Sequence, residues 1–183
     1  MTIIIGARSE NVIILGTDSR ITAASFILHS EFSKIEKLSR NIYAAFCGCC
    51  SITTELDMIK NDLKMYEYRT HKDSLVFDAA NLIRNVIYKN REKLHGTCLI
   101  VAGWDYKEDT QLYMIHSNGF LERTSLAAAG SGSEIVEGFL QNRYNTDMSI
   151  NECKSLVEEG IELAIYNDTS CGGNKSIVIV GRD

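Results

Sequence analysis

Short apolar runs and helix-length stripes divide this chain cleanly. Ile3–Arg8 and Val12–Asp18 are apolar runs separated by the polar Ser9–Asn11, the pattern of a strand hairpin. Gly16-Thr17-Asp18-Ser19-Arg20 closes the second run, and a looser segment continues to Ser33. Lys34–Leu38 and Ile42–Phe46 predict a second hairpin that turns at Ser39–Asn41. Ser51 is placed to cap a helix whose stripe is Ile52, Leu56, Ile59, Leu63 and Tyr66. A second helix is predicted from Ser74 to Lys93, with Val76, Ala79 or Ala80, Ile83, and Val86 or Ile87 on its buried side. Thr97–Trp104 is a continuous apolar strand, followed by a polar turn and Gln111–His116. Asn118-Gly119 suits a turn with positive φ, after which Phe120–Ala127 returns as one strand. Gly130-Ser131-Gly132-Ser133 leads into a helix over Ser133–Arg143. Ser149 and Glu152 form a capping-box pattern for a helix reaching Tyr166, with Ile150, Cys153, Val157, Gly160 and Ala164 on one side. Gly160 in mid-helix costs about 1 kcal/mol, which points to close packing against a neighbour. Asp168–Gly173 is a polar loop and Ser176–Val180 a final strand.

Strands, two helices, strands, two helices and a strand give an α+β class rather than alternating βαβ units. Two antiparallel sheets packed face to face, with helices outside both, would bury all of these runs. No linker, repeat or low-complexity tract interrupts the chain, so residues 1–183 are expected to be one domain. The chain is 45% hydrophobic and 23% charged, the balance of a soluble globular protein. A net charge of −5 without a long basic run argues against nucleic acid as a partner. The N-terminal apolar run is broken by Arg8 and Glu10, so neither a signal peptide nor a membrane anchor is expected. The six cysteines are therefore expected to be free thiols.

Thr2 is the first candidate for chemistry. With Met1 removed, its hydroxyl and a free α-amine would share one residue, and the amine could serve as the base that threonine needs. The plain alternative is an apolar first strand. The Cys47-Gly48-Cys49-Cys50 cluster has poor metal spacing, since neighbours on a strand face opposite ways, and no second Cys/His pair lies close in sequence. No metal is expected. His29, His71, His95 and His116 are scattered and read as surface or packing residues. The Gly130–Ser133 stretch lacks the lysine of a phosphate-binding loop.

Seven short motifs in order carry a family resemblance: Thr2-Ile3-Ile4-Ile5-Gly6, Gly16-Thr17-Asp18-Ser19-Arg20, Ser33-Lys34-Ile35, Cys47-Gly48, Ala102-Gly103-Trp104-Asp105, Gly130-Ser131-Gly132-Ser133, and Asp168 with Gly172-Gly173. Together they resemble a proteasome β subunit. The fold this implies is the αββα four-layer sandwich of the N-terminal-nucleophile hydrolases. Leu94–Asp105 and Met148–Cys153 are most similar to the eukaryotic caspase-like type.

The resemblance implies a threonine endopeptidase with Thr2 as nucleophile, Lys34 beside its hydroxyl, Asp18 paired with that lysine, and Arg20 supporting the loop that holds Asp18. Lys34 would either favour the alkoxide as a cation or act as the base when neutral. The Gly48 N–H would donate to the oxyanion, and Ser131 and Asp168 would orient the threonine amine. Cys171 stands where active members carry serine, and a thiol is a weak donor and acceptor. The implied substrate pocket is Ile21, Phe32, Phe46 and Cys50, with backbone contacts from Thr22 and Gly48. Caspase-like subunits hold arginine at the place of Phe46, so cleavage after apolar rather than acidic residues is expected. The other implied role is a catalytically silent β subunit. Cys171, the altered pocket and a retained Met1, which would block the amine, favour that role. In either role the resemblance implies stacked seven-membered rings of β and α subunits, unfolded polypeptide as substrate, no cofactor, no nucleic acid or membrane partner, and residence in cytoplasm and nucleus.

Overall fold

The computed structural model describes residues 2–23 and 26–182, and the expectation about Met1 lies outside them. The first hairpin forms as the apolar pattern predicts. Strand β1 (Ile3–Ser9) pairs with β2 (Val12–Asp18) in a register running from Ile4↔Thr17 to Ser9↔Val12. β3 (Ile21–Ala23) and β4 (Phe26–His29) make a small separate hairpin. β5 (Ile35–Lys37), β6 (Ile42–Cys47), β7 (Cys98–Asp105), β8 (Asp109–Ile115) and β9 (Leu121–Arg123) form a five-stranded antiparallel sheet in sequence order. β10 (Leu126–Gly130) and β11 (Lys175–Gly181) flank the first hairpin in a four-stranded sheet of order β10-β1-β2-β11. The helices are α1 (Ile52–Thr70), α2 (Val76–Lys89), α3 (Ser133–Arg143) and α4 (Ile150–Asn167).

Three apolar layers separate these elements into an αββα sandwich. Between the sheets lie Ile4, Ile13 and Leu15 from one side and Ala45, Ile100, Ala102, Leu112 and Met114 from the other. Outside the five-stranded sheet, Ile42, Ala44, Leu99 and Val101 meet Ile52, Leu56, Ile59, Ile83 and Ile87 of α1 and α2. Outside the four-stranded sheet, Ile3, Ile5 and Ile14 meet Val136, Leu140, Val157 and Ile161 of α3 and α4. Successive residues of a strand face opposite ways, so Ile3 and Ile5 reach the helices while Ile4 reaches the other sheet. A strand buried on both faces needs a continuous apolar run, and this is why Ile3-Ile4-Ile5 does not alternate with polar residues.

Five expectations from the pattern need correction. The segment to Ser33 is not loose throughout, because it carries the β3–β4 hairpin, whose pairing shifts register between Ile21 and Thr22. Phe120–Ala127 is not one strand. Thr124 N–H still donates to Leu112 at 3.1 Å in one sheet, while Arg8 N–H donates to Ser125 at 2.8 Å in the other. The chain changes sheets at that point, and apolar periodicity carries no signal for which sheet a residue joins. The second helix ends at Lys89, beyond which Lys93 and Leu94 donate back to the Asn90 carbonyl as tight turns. Ser51 occupies the cap position with helical dihedrals and does not cap with its side chain, which lies 3.0 Å from Cys49 Sγ. Tyr66 at the end of the α1 stripe is 44% exposed.

The capping box at Ser149 and Glu152 forms as expected. Gly160 does lie against its neighbours: a Cβ there would come within 2.9 Å of Ile5 Cδ1 and 3.1 Å of Val136 Cγ1. Gly16 of β2 is tighter still, with a Cβ only 2.4 Å from Val157 Cγ1 of α4. Gly16→Val should therefore overpack the sheet–helix interface and cost about 1–3 kcal/mol, measured as a lower midpoint in urea denaturation at unchanged slope.

Candidate active site

The functional candidates converge where the ends of β1, β2 and β5 meet. Asp18 is the last residue of β2 and is 0% exposed; Thr2 precedes β1 and is 2% exposed; Lys34 precedes β5 and is 3% exposed. Lys34 reaches them because the Phe46 N–H donates to its carbonyl at 3.0 Å, which extends the β5–β6 pairing by one step.

Lys34 Nζ donates to Asp18 Oδ1 at 2.6 Å and also to Thr2 Oγ1. The Thr2 hydroxyl in turn donates to Asp18 Oδ1. Three backbone amides complete the carboxylate: Ile3 N at 3.1 Å on Oδ1, with Gly172 N at 3.0 Å and Arg20 N at 3.3 Å on Oδ2. Burial lowers the pKa of Lys34 below its ordinary value, and the Asp18 charge opposes but does not cancel that effect.

Arg20 acts on the opposite loop rather than on its own. Its Nη1 donates to the carbonyls of Cys171 at 2.9 Å and Thr169 at 3.2 Å. A Cβ on Gly172 would stand 2.2 Å from the guanidinium carbon, so glycine there lets the arginine lie flat against the loop. The loop held in this way delivers the Gly172 N–H to Asp18.

On the other side of Thr2, its carbonyl accepts from Gly132 N at 3.4 Å and lies 3.5 Å from Ser131 Oγ. Gly130 pairs with Ile3 at φ +109°, and a Cβ there would strike the Thr2 carbonyl oxygen at 2.0 Å. Ser131 Oγ donates to Asp168 Oδ2, and Cys171 Sγ donates to the same oxygen at 3.2 Å. Asp168 is held below its ordinary pKa by these hydrogen bonds, led by Ser131 and Ser170, against the opposing cost of burial. Burial, with the nearby Asp18 charge, pushes the Cys171 thiol far above the ordinary range, so it stays protonated as a donor. Ser131, Asp168 and Cys171 thus form one cluster beside Thr2.

Thr2, Lys34 and Gly48 open onto a narrow pocket that also includes Ile21, Thr22, Phe32, Phe46 and Cys50. Every residue expected of the substrate pocket therefore lies together. The pocket leaves about 30 Å³ free, because Phe32 and Phe46 stand edge to face across it at 6.3 Å. Gly48 has φ +98°, and a Cβ there would clash with the Gly96 carbonyl at 2.6 Å. Packing against residues 96 and 97 therefore requires glycine here, in addition to any need for close approach by a ligand.

The family profile described as proteasome subunit matches residues 2–180. The chain is a proteasome β subunit. It is 35% identical to proteasome subunit beta type-9 of Bos taurus over 94% of this chain and 78% of that protein. It is 34% identical to the protein of the same name from Salmo salar over 98% of this chain and 82% of that protein, and 32% identical to that of Rattus norvegicus over the whole of this chain and 83% of that protein. The αββα layering is the N-terminal-nucleophile hydrolase fold of this family, which assembles with other proteasome subunits and includes threonine peptidases.

Sequence reading missed the backbone donors of this β subunit's site, Ile3 and Gly172, because every residue type carries an N–H. It also missed Cys47 as pocket lining. The Gly172-Gly173 pair was the one available signal for the loop.

Asp18→Asn would leave the Lys34 ammonium buried without its counter-charge. The expected cost is about 3–5 kcal/mol, read from denaturant unfolding. Side-chain NMR titration should show Lys34 losing its proton at lower pH than the surface lysines. It should titrate lower still in Asp18→Asn, because Asp18 is the group that raises its pKa.

Proposed function

We propose that this proteasome β subunit is a threonine endopeptidase with Thr2 as its nucleophile. One observation carries the reading: the Thr2 hydroxyl is held between Lys34 Nζ and Asp18 Oδ1 at the floor of a pocket that also contains Gly48. Once Met1 is removed, the Thr2 Oγ1 attacks a peptide carbonyl, and its proton passes to the α-amine or to Lys34. The lowered pKa of Lys34 supports a lysine that exchanges its proton near neutrality more readily than a surface lysine does. The oxyanion faces the Gly48 N–H, a donor of a kind worth about 2.7–4 kcal/mol of barrier. The amine that received the proton returns it to the leaving group, and water then hydrolyses the acyl-enzyme.

Ser131, Asp168 and Cys171 position the N-terminal residue in this scheme. The Cys171 thiol keeps a donor on Asp168, weaker than the serine hydroxyl found in active members. That substitution also favours the second reading, a silent subunit that holds its ring together. Phe46 and Phe32 line the specificity pocket with apolar surface, which favours cleavage after apolar residues over the acidic choice of the caspase-like type. Under the peptidase reading the subunit works in a seven-membered β ring stacked between α rings, in cytoplasm and nucleus, on unfolded polypeptide.

The mass of the mature N-terminal peptide separates the two readings. A free Thr2 amine supports the peptidase, and a retained or blocked Met1 supports the silent subunit. Fluorogenic peptides that differ only in the residue before the cut should be cleaved best when that residue is apolar. Thr2→Ala should abolish this subunit's cleavage, and Lys34→Ala should lower it about 10²–10⁴-fold. Phe46→Arg should shift preference toward acidic residues; an acidic preference in the unaltered protein would contradict the pocket assignment.

A further inference from the structure

Opposite the narrow pocket, Thr2 and Gly48 border a second, wider cleft of about 630 Å³ that also contains Cys47, Cys98 and His116. The two cysteines are direct cross-strand partners, Cys47 ending β6 and Cys98 opening β7. Directly opposed residues of an antiparallel pair have Cα atoms about 4.5–5.5 Å apart, inside the range a disulfide spans. Both side chains point between the sheets, Cys47 within the inter-sheet core and Cys98 packed against its edge. Cys47 is 3% exposed and Cys98 half-buried at the cleft. Both are free thiols.

Their surroundings give the two sulfurs different parts. The Cys47 thiol donates to the Cys98 carbonyl at 3.6 Å. Ser117 and His116 line the same cleft as Cys98. The neighbouring Cys47 thiol, with Ser117 and His116, lowers the Cys98 pKa to about 6, and the proximity of Cys98 together with burial holds Cys47 well above its ordinary value. Of the two sulfurs, Cys98 is the one whose surroundings favour the thiolate.

We propose that Cys47 and Cys98 form a peroxide-responsive dithiol that closes to a disulfide across β6 and β7. The Cys98 thiolate attacks one oxygen of hydrogen peroxide, the O–O bond breaks, and sulfenic acid and hydroxide are formed. The Cys47 sulfur then attacks Cys98 Sγ. The S–S bond forms as the S–O bond breaks, and the Cys47 proton leaves with that oxygen as water. The sulfurs give up two electrons in all and the peroxide oxygens take them. Cys47 immediately precedes Gly48, so the link forms next to the proposed oxyanion donor, but it requires nothing of Thr2 and stands whether or not the subunit cleaves peptides.

The test treats the full-length protein in its assembled particle with hydrogen peroxide, alkylates free thiols, and maps peptides by mass spectrometry without reduction. The expected result is a Cys47–Cys98 peptide pair, lighter by two hydrogens and lost on reduction. Before oxidation, Cys98 should alkylate at least about tenfold faster than Cys153, whose thiol burial pushes up to about 11. Cys47→Ser should stop the reaction at a Cys98 sulfenic acid trapped by dimedone, and Cys98→Ser should leave Cys47 unoxidised. If either variant fails to fold, the linkage in the unaltered protein decides. Oxidation confined to the exposed Cys50, with Cys47 and Cys98 alkylated separately, would overturn the proposal.

Discussion

A fully buried carboxylate dictates how this molecule is put together. Asp18 has no exposure to water, and an ionised group in that position costs several kcal/mol unless its lone pairs are met. The cation comes from Lys34, the hydroxyl from Thr2, and the amides from Ile3, Arg20 and Gly172. These donors come from four stretches of the chain, near the start of β1, just after β2, before β5 and before β11. None is near Asp18 in sequence except Arg20, so only the closed sandwich satisfies the charge. The same requirement brings the Thr2 hydroxyl to a lysine.

The layers around it keep those donors in place. β1 is buried between α4 and the opposite sheet, so its residues cannot shift by one without moving Ile4 out of one core and Ile3 and Ile5 out of the other. Thr2 sits at the end of that register. Its carbonyl is pinned by Gly130, whose lack of a Cβ permits the contact, and by Gly132. The change of sheet at Thr124–Ser125 makes this possible, since it carries the chain from the edge of one sheet to the edge strand beside β1.

Two sides of Thr2 differ in character. One is a tight apolar pocket closed by the Phe32 and Phe46 rings. The other is a wide cleft with thiols and a histidine on its wall. Gly48 separates them, and its conformation is fixed from behind by the Gly96–Thr97 backbone and by the bond from Cys49 N to Thr97 Oγ1 at 3.0 Å.

Much of the architecture was legible in the linear chain, because burial imposes a period. The Ile3-Ile4-Ile5 run, the helix stripes at Leu56, Ile59 and Leu63, and the box at Ser149 and Glu152 are local signatures that neighbours in sequence suffice to specify. The candidate residues Thr2, Asp18, Lys34, Ser131, Asp168 and Cys171 were named from motif order, which reflects a shared fold. Sheet membership was not legible, since Leu121 and Leu126 look alike until the partners Ile115 and Ala7 are known. The amide donors to Asp18 and the meeting of Cys47 with Cys98 were also settled only in three dimensions. Hydrogen bonds from backbone and contacts between distant strands leave no mark on residue type, so tertiary closure alone decides them.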